Sequence, residues 1–385
     1  MSMSQRMVLI TEIISPYRIP VLNALAHQSG SGLHVIFLAE TDDRLRAWRV
    51  YKQEIRFSYE VLPSMRFSVT GHKILVNRRL WSALEQASPE VVVCGGYNYP
   101  ASWEALWWAR RRRARFVLWT ESNRYDHRSR RIWVEGLKQY FLRRCDAFVV
   151  PGKASLSYLQ DFGVSEQNIF TAPNAVDTFY FATASEAARL HEQSHRRRLG
   201  LPERFLLYAG RLVPEKGVLD LLEAYARLDV SLRAKLGLVF VGDGVAHNDL
   251  VARSQSISPG RVCFPGFAQR EDLAVYYSLA DVLVLPTHSD TWGLVVNEAM
   301  VCGLPIIVTS VAGCAPDLVE DGWNGWVVPP RDHKRLSTAI RNIVEQPEIR
   351  KQMSANSRER IRRYSPEECA RGLAEAIRAE RMSPQ

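Results

Sequence analysis

The stretch DVLVLPTHSDTWGLVVNEAMVCGLPIIVTS, residues 281 to 310, decides the fold. It opens with an apolar, β-branched run and closes with another, PIIVTS. Between them a polar loop ends at Gly293, and LVVNEAMVCG then reads as a helix. Strand, loop, helix and strand in this order build a parallel sheet covered by helices.

The same rhythm extends outward from that stretch. FLLYAGRL, KLGLVFVGDG, VCFPGF and GWVVPP are the other strands of the second half, with helical text after most of them. In the first half MVLITEII, LHVIFLAE, EVVVCGG, ARFVLWTE and DAFVVPG alternate with helical text such as PVLNALAHQ and SWEALWWARRRR. A chain of 385 residues exceeds what one core usually holds. The sequence therefore predicts an α/β protein of two doubly wound, Rossmann-like parallel-sheet domains facing across a cleft.

The expected first domain spans 1–173 and the second 174–365, with the polar segment from Thr171 to Phe205 as the best linker candidate. In the terminal segment 366–385, Cys369, Leu373, Ala376 and Ile377 recur at helical spacing and predict a helix that packs back onto the first domain.

Composition narrows the function. Hydrophobic residues at 46% and charged residues at 24% are the balance of a soluble globular protein. Glu12, Pro16 and Arg18 interrupt the N-terminal apolar run before it reaches signal or membrane length, so a cytoplasmic protein is expected. The six cysteines form no CxxC pair and read as reduced thiols. The net charge of +9 gathers at 109–115, 127–131, 196–198 and 358–363. Such runs either coat solvated helix faces or meet phosphates, and no nucleic-acid-binding motif accompanies them.

In open parallel sheets ligands bind beyond the carboxyl ends of the strands. GRLVPEKG, 210–217, lies at such an end, where Gly210, Arg211 and Lys216 meet a helix N-terminus and suit a diphosphate. The alternative is local pairing of the two cations with Glu215 or Asp220. VGDG, with Gly242, marks a second strand end and alone is a common tight turn. In the opening stretch Gly293 leaves room for a ligand at the amides of Leu294 and Val295. Asp290 at the loop crest and Glu298 on the helix face turned to the cleft could grip opposite ends of one elongated ligand. Carboxylates accept from vicinal hydroxyls, which ribose and sugars both carry, so the ligand described is a nucleotide sugar, without a further cofactor.

These residues in this order resemble the family-4 retaining glycosyltransferases of GT-B fold. The resemblance is dense across roughly 205 to 330, and PYRIPVLNALA and PNAVD look like family text as well. It implies a retaining, hexosyltransferase-type enzyme that moves a sugar from a UDP- or GDP-type donor to a glycan, lipid-linked or small-molecule acceptor, as in surface polysaccharide or glycoconjugate biosynthesis. Arg211 and Lys216 would neutralise the diphosphate, Glu298 would hold the ribose hydroxyls, and the backbone from Thr291 through Trp292 and Gly293 to Val295 would bind sugar and phosphate oxygens. Asp290 stands where the family usually has glutamate, contacting the transferred sugar. The leaving diphosphate would help deprotonate the acceptor, so no protein nucleophile is required. There is no Asp-x-Asp triplet, and metal independence is expected.

The first domain departs further from the family. FVLWTESN puts Glu121 where many members place a histidine after a strand. Glu121 would touch a sugar hydroxyl or orient an acceptor, or else pair with Arg124 or Arg128 at the surface. The double glycine of many relatives is also missing from TEIISPYRIP. Rival readings are a sugar-nucleotide epimerase or another GT-B enzyme, and a non-catalytic nucleotide-sugar-binding module. Finally, in SWEALWWARRRRARF, Trp103, Trp107, Trp108 and Arg110 to Arg113 either divide between core and solvent or form a peripheral face for an anionic membrane.

Overall fold

The computed structural model describes residues 5–41, 48–69, 72–125 and 132–380. The charge run at 127–131 lies outside them. The chain divides into two compact units, Met1–Val176 with Ser365–Gln385, and Asp177–Tyr364, apart from a few residues after Arg124 that group with the second. The division expected at 173/174 falls after Val176.

The first unit carries β1 (Met7–Thr11), β2 (Leu33–Phe37), β3 (Ser58–Val61), a separate antiparallel hairpin of β4 (Ser64–Val69) and β5 (His72–Asn77), then β6 (Val91–Gly95), β7 (Arg115–Trp119), β8 (Ala147–Val150) and β9 (Ile169–Thr171). The main sheet runs β3-β2-β1-β6-β7-β8-β9, all parallel. Alternate residues of one strand enter opposite layers. Val8 and Ile10 join one core with Val92, Phe116 and Phe148, while Met7 and Leu9 join the other with Val91, Val93 and Val117. That two-sided burial is why the strands read as unbroken apolar runs.

The terminal helix Pro366–Arg378 belongs to this second core. Cys369, Leu373, Ala376 and Ile377 are all buried there, and the helix packs against Arg18–Ser29 and β9. A Cβ on Gly372 would lie 2.1 Å from the Thr171 carbonyl oxygen, so glycine is what allows the helix to sit on the strand.

The second unit contains β10 (Phe205–Ala209), β11 (Gly237–Val241), β12 (Arg261–Gly266), β13 (Val282–Leu285), β14 (Ile306–Thr309) and β15 (Gly325–Val328), in the order β12-β11-β10-β13-β14-β15. Strand order reverses between β10 and β13, which makes the loops after these two strands the rim of a topological switch point.

The polar segment expected as a linker is instead folded. It forms helices Thr178–Leu190 and Glu192–Leu199. The Asp177 carboxylate caps the first by accepting from the Tyr180 amide at 2.8 Å. Phe181, Ser185 and Ala188, one face at helical spacing, are buried, and the helix packs on Arg270–Leu279. Only two of these three buried positions are apolar, and Phe179 and Leu190 stay exposed, so no clean apolar stripe marks the helix in the sequence. Among the described residues no helix is long and apolar enough to cross a membrane.

Candidate active site

The second unit's strand ends interlock through glycine. Gly210 and Gly242 have φ of 145° and 140°, and a Cβ on Gly242 would stand 1.9 Å from the Gly210 carbonyl oxygen. The Gly210 amide donates to Val241 O at 3.0 Å, and Leu212 N to Asp243 O at 2.8 Å. These bonds leave Arg211 exposed at the rim, its carbonyl held by the Tyr208 hydroxyl at 2.7 Å. Burial, and secondarily Asp290, pushes the Tyr208 phenol up, so it stays a neutral donor.

The chain then makes a 3-10 turn, Pro214–Lys216, and enters helix Val218–Ala226 through Gly217 at φ 64°. A Cβ on Gly217 would meet Pro286 O at 1.9 Å, so the turn lies directly against the end of β13. Two further bonds join the elements. His288 N donates to Glu215 O at 2.8 Å, and Thr287 Oγ1 donates to the same oxygen at 3.1 Å.

This packing brings Lys216 to Asp290, with Nζ to Oδ2 at 2.5 Å and both side chains about 15% exposed. The expected local partners of Lys216, Glu215 and Asp220, are not the ones it takes. A cation assigned to the diphosphate and an acid assigned to the sugar are thus one ion pair, and their roles are coupled. The Asp290 carbonyl accepts from Gly313 N at 3.1 Å and the Trp292 carbonyl from Cys314 N at 3.1 Å, which fixes the loop to the segment after β14.

Gly293, at φ 101°, starts helix Leu294–Val301, whose first turn carries the amides of Leu294 and Val295. Thr291 is half-buried beside Asp290 in sequence. The Trp292 indole is core: it is 2% exposed and its Nε1 donates to Asn297 Oδ1 at 2.8 Å, so only its backbone faces the loop's work.

Glu298, expected on the helix face turned to the cleft, is 1% exposed, and its Oε2 accepts from the Tyr277 hydroxyl at 2.6 Å. A buried carboxylate needs such donors. Tyr277 was missed by the sequence reading, because nothing in AVYYSLADV distinguishes its hydroxyl from that of a core tyrosine.

In the first unit Glu121 follows β7 and pairs with Arg18 at 2.7 Å. The Arg18 guanidinium lies 3.7 Å from the centre of the Trp119 ring. The expected partner Arg124 is taken by Asp161, and Arg128 is outside the described residues. Arg18 comes from PYRIPVLNALA, so a segment that looks like family text meets, in one ion pair, the segment FVLWTESN that departs from it.

The tryptophan helix, Pro100–Arg112, splits its residues. Trp108 is core with Nε1 donating to Glu85 at 3.0 Å, Trp103 packs half-buried on Tyr140 and Phe141, and Trp107 is 62% exposed. Arg110 pairs with Asp146 and Arg112 with Glu85. A depression of about 740 Å³ is lined by Trp81, Trp107, Tyr140, Arg110, Arg111 and Arg144, together with Glu85 and Arg112. Trp81 and Tyr140, from other helices, replace Trp103 and Trp108 in that surface.

Two parallel-sheet units, each with a strand-order reversal, define the two-domain class called GT-B. Comparison with known proteins agrees. Residues 191–360 match the family described as Glycosyl transferases group 1, and residues 21–179 match Glycosyltransferase Family 4. The chain belongs to the family-4 glycosyltransferases of GT-B fold. It is 34% identical over 180 residues to alpha-D-kanosaminyltransferase of Streptomyces kanamyceticus, covering 46% of this chain and 45% of that protein. It is 32% identical over 229 residues to D-inositol 3-phosphate glycosyltransferase of Thermobifida fusca, covering 56% and 51%. The chain thus spans about half the length of the curated relatives it matches. Anabaena Alr3699/HepE, solved in complex with UDP and glucose, shares the fold at TM-score 0.76 and 17% identity over 98% of this chain and 100% of that one.

Proposed function

We propose that this protein is a retaining, metal-independent hexosyltransferase. It takes a sugar from a UDP- or GDP-type donor to a hydroxyl of a glycan, lipid-linked saccharide or small-molecule acceptor, in the making of a surface polysaccharide or other glycoconjugate. The observation that carries this reading is the meeting of Lys216 and Asp290 at the β10/β13 switch point, beside Arg211 and the first turn of helix Leu294–Val301. Solved complexes of HepE with UDP and UDP-glucose favour a uridine donor, and the D-inositol 3-phosphate glycosyltransferase relative favours a small acceptor.

The chemistry follows from where charge develops. As the glycosidic bond to the donor breaks, negative charge grows on the diphosphate, and Lys216, Arg211 and the amides of Leu294 and Val295 stabilise it more than they stabilise the intact donor. The diphosphate takes the acceptor proton on the same face, which retains configuration without a protein nucleophile. Asp290 accepts from hydroxyls of the transferred sugar once the donor shares Lys216. Glu298, held by Tyr277, accepts from the ribose after a small movement of its helix start. Glu121 with Arg18 serves the acceptor side.

We place the enzyme in the cytoplasm, touching an anionic membrane through the surface of Trp81, Trp107, Tyr140, Arg110, Arg111 and Arg144. Aromatic rings suit the interface and each added cation contributes about 1 kcal/mol there. Sedimentation with anionic vesicles at low salt tests this part, and protein left in the supernatant rejects it. For the reaction itself, a thermal-shift panel of UDP, GDP and ADP selects the base, because a ligand of the folded state raises stability with concentration. Product analysis with the matching sugar donor, with and without acceptor, then separates transfer from epimerisation. An epimerised donor, or no product from any donor and acceptor, rejects the transferase.

A further inference from the structure

One cluster of titratable side chains has no part in the reaction as described. Asp220, in the first turn of helix Val218–Ala226, lies between two imidazoles. Its Oδ1 is 3.0 Å from His333 Nε2, and its Oδ2 pairs with His288 Nε2. The three side chains are 17%, 29% and 18% exposed in the order Asp220, His333, His288, so they are mostly shielded from water. A carboxylate there is best satisfied by two N–H donors, and each imidazole supplies one through Nε2.

His288 joins three elements. Its backbone amide holds the turn that carries Lys216, by donating to Glu215 O at 2.8 Å. Its ring covers the same turn, with Nε2 at 3.4 Å from where a Cβ on Gly217 would stand. Through Asp220 it reaches His333, the first residue of helix His333–Val344. Two residues further along the loop is Asp290, which grips Lys216.

We propose that His288 is a positioning residue of the donor site: the Asp220–His288–His333 cluster clamps the loop after β13 onto the Pro214–Lys216 turn and so fixes where Lys216 meets the donor diphosphate. The inference rests on the transferase reading and adds to it a set of side chains that touch neither sugar nor phosphate. Loss of the clamp misplaces Lys216, which both binds the donor diphosphate and stabilises the charge that grows on it, so it raises donor KM and lowers kcat as well, while acceptor KM is spared.

The test compares His288→Leu, which fills the space without donating, with His288→Gln, whose Nε2 can donate to Asp220 from nearly the same place. Donor KM, acceptor KM, kcat and the Kd of free UDP or GDP are measured for each, with Lys216→Ala alongside. His288→Leu is expected to raise donor KM and diphosphate Kd at least about tenfold, the size of one hydrogen bond to a charged acceptor. Acceptor KM should stay within twofold, and His288→Gln should restore donor KM to within about threefold. Should His288→Leu fail to fold, His333→Leu removes the other imidazole without touching the loop and is expected to raise donor KM about threefold or more. Donor KM within twofold of wild type in the leucine variant, or glutamine no better than leucine, overturns the clamp while a loss of diphosphate binding in Lys216→Ala leaves the transferase reading standing. Wild-type protein that binds neither UDP nor GDP overturns both.

Discussion

Replacing Asp290 by asparagine should tighten binding of the free nucleoside diphosphate while impairing transfer. Lys216 and Asp290 are held at 2.5 Å with each side chain about 15% exposed. A hydrogen bond between charged groups contributes roughly 1.5–3 kcal/mol net, and two unit charges 2.5 Å apart at an effective dielectric of 20 interact by about 7 kcal/mol, which bounds the pair from above. An arriving diphosphate must share Lys216 with that carboxylate and approach its negative charge. Asparagine keeps the volume, so no cavity opens, but it removes the competing anion. Roughly half of the pair's contribution, about 1.4 kcal/mol, should then pass to the ligand, and that lowers Kd about tenfold. Transfer should fall about tenfold or more, because an amide is a weaker acceptor for the sugar hydroxyls. Calorimetry with UDP and GDP at low and moderate salt, followed by transfer assays, checks both halves. A diphosphate Kd in Asp290→Asn equal to or weaker than wild type would refute the reasoning, since it would mean the ion pair does not compete with phosphate.

Four further outcomes are expected. Arg211→Ala and Lys216→Ala should each lower turnover about a hundredfold, or roughly 3 kcal/mol, with far-UV circular dichroism unchanged; near-normal rates in both would remove the assigned diphosphate site. Gly217→Ala should cost about 3 kcal/mol or more, from a left-handed φ of 64° and a Cβ 1.9 Å from Pro286 O. Gly266→Ala, at φ 83° with nothing within 4 Å, should cost only about 1 kcal/mol, and equal melting temperatures for the two would contradict the close approach. Tyr277→Phe should destabilise by about 1–3 kcal/mol in denaturant titrations, because it removes a donor from buried Glu298. Burial pushes the thiols of Cys94, Cys302 and Cys369 up to about 12 from 9.0. Their folded pKa values are raised, so their contribution is complete below pH 9 and is lost as pH rises toward 12, by about 1 kcal/mol per thiol at pH 10; a urea midpoint unchanged between pH 8 and 10 would contradict it.

The sequence by itself determined the elements and the ends at which function sits. VVVCG, FLLYA and VLVL are buried on both faces, and a strand so buried must be apolar at every position, which any reader of the chain can see. The glycines at 210, 217, 242 and 293 are equally legible, because a positive φ at all four, and a backbone carbonyl pressed close at 217 and 242, favour glycine. Partner choice was not legible. Lys216 had two acids within four residues and took one 74 positions away, since the order reversal between β10 and β13 sets their loops side by side. Glu121 had arginines nearby and took Arg18, which is 103 positions distant. Helical spacing put Glu298 on the face turned to the cleft but could not show that the helix Arg270–Leu279 supplies Tyr277 as the donor to its buried carboxylate. The segment from Thr171 to Phe205 looked like a linker because its helices draw their stability from packing on that same helix rather than from their own pattern. Periodicity reports which face of an element is apolar; which side chain faces which is decided when strand order and close backbone approach bring distant loops within hydrogen-bonding reach.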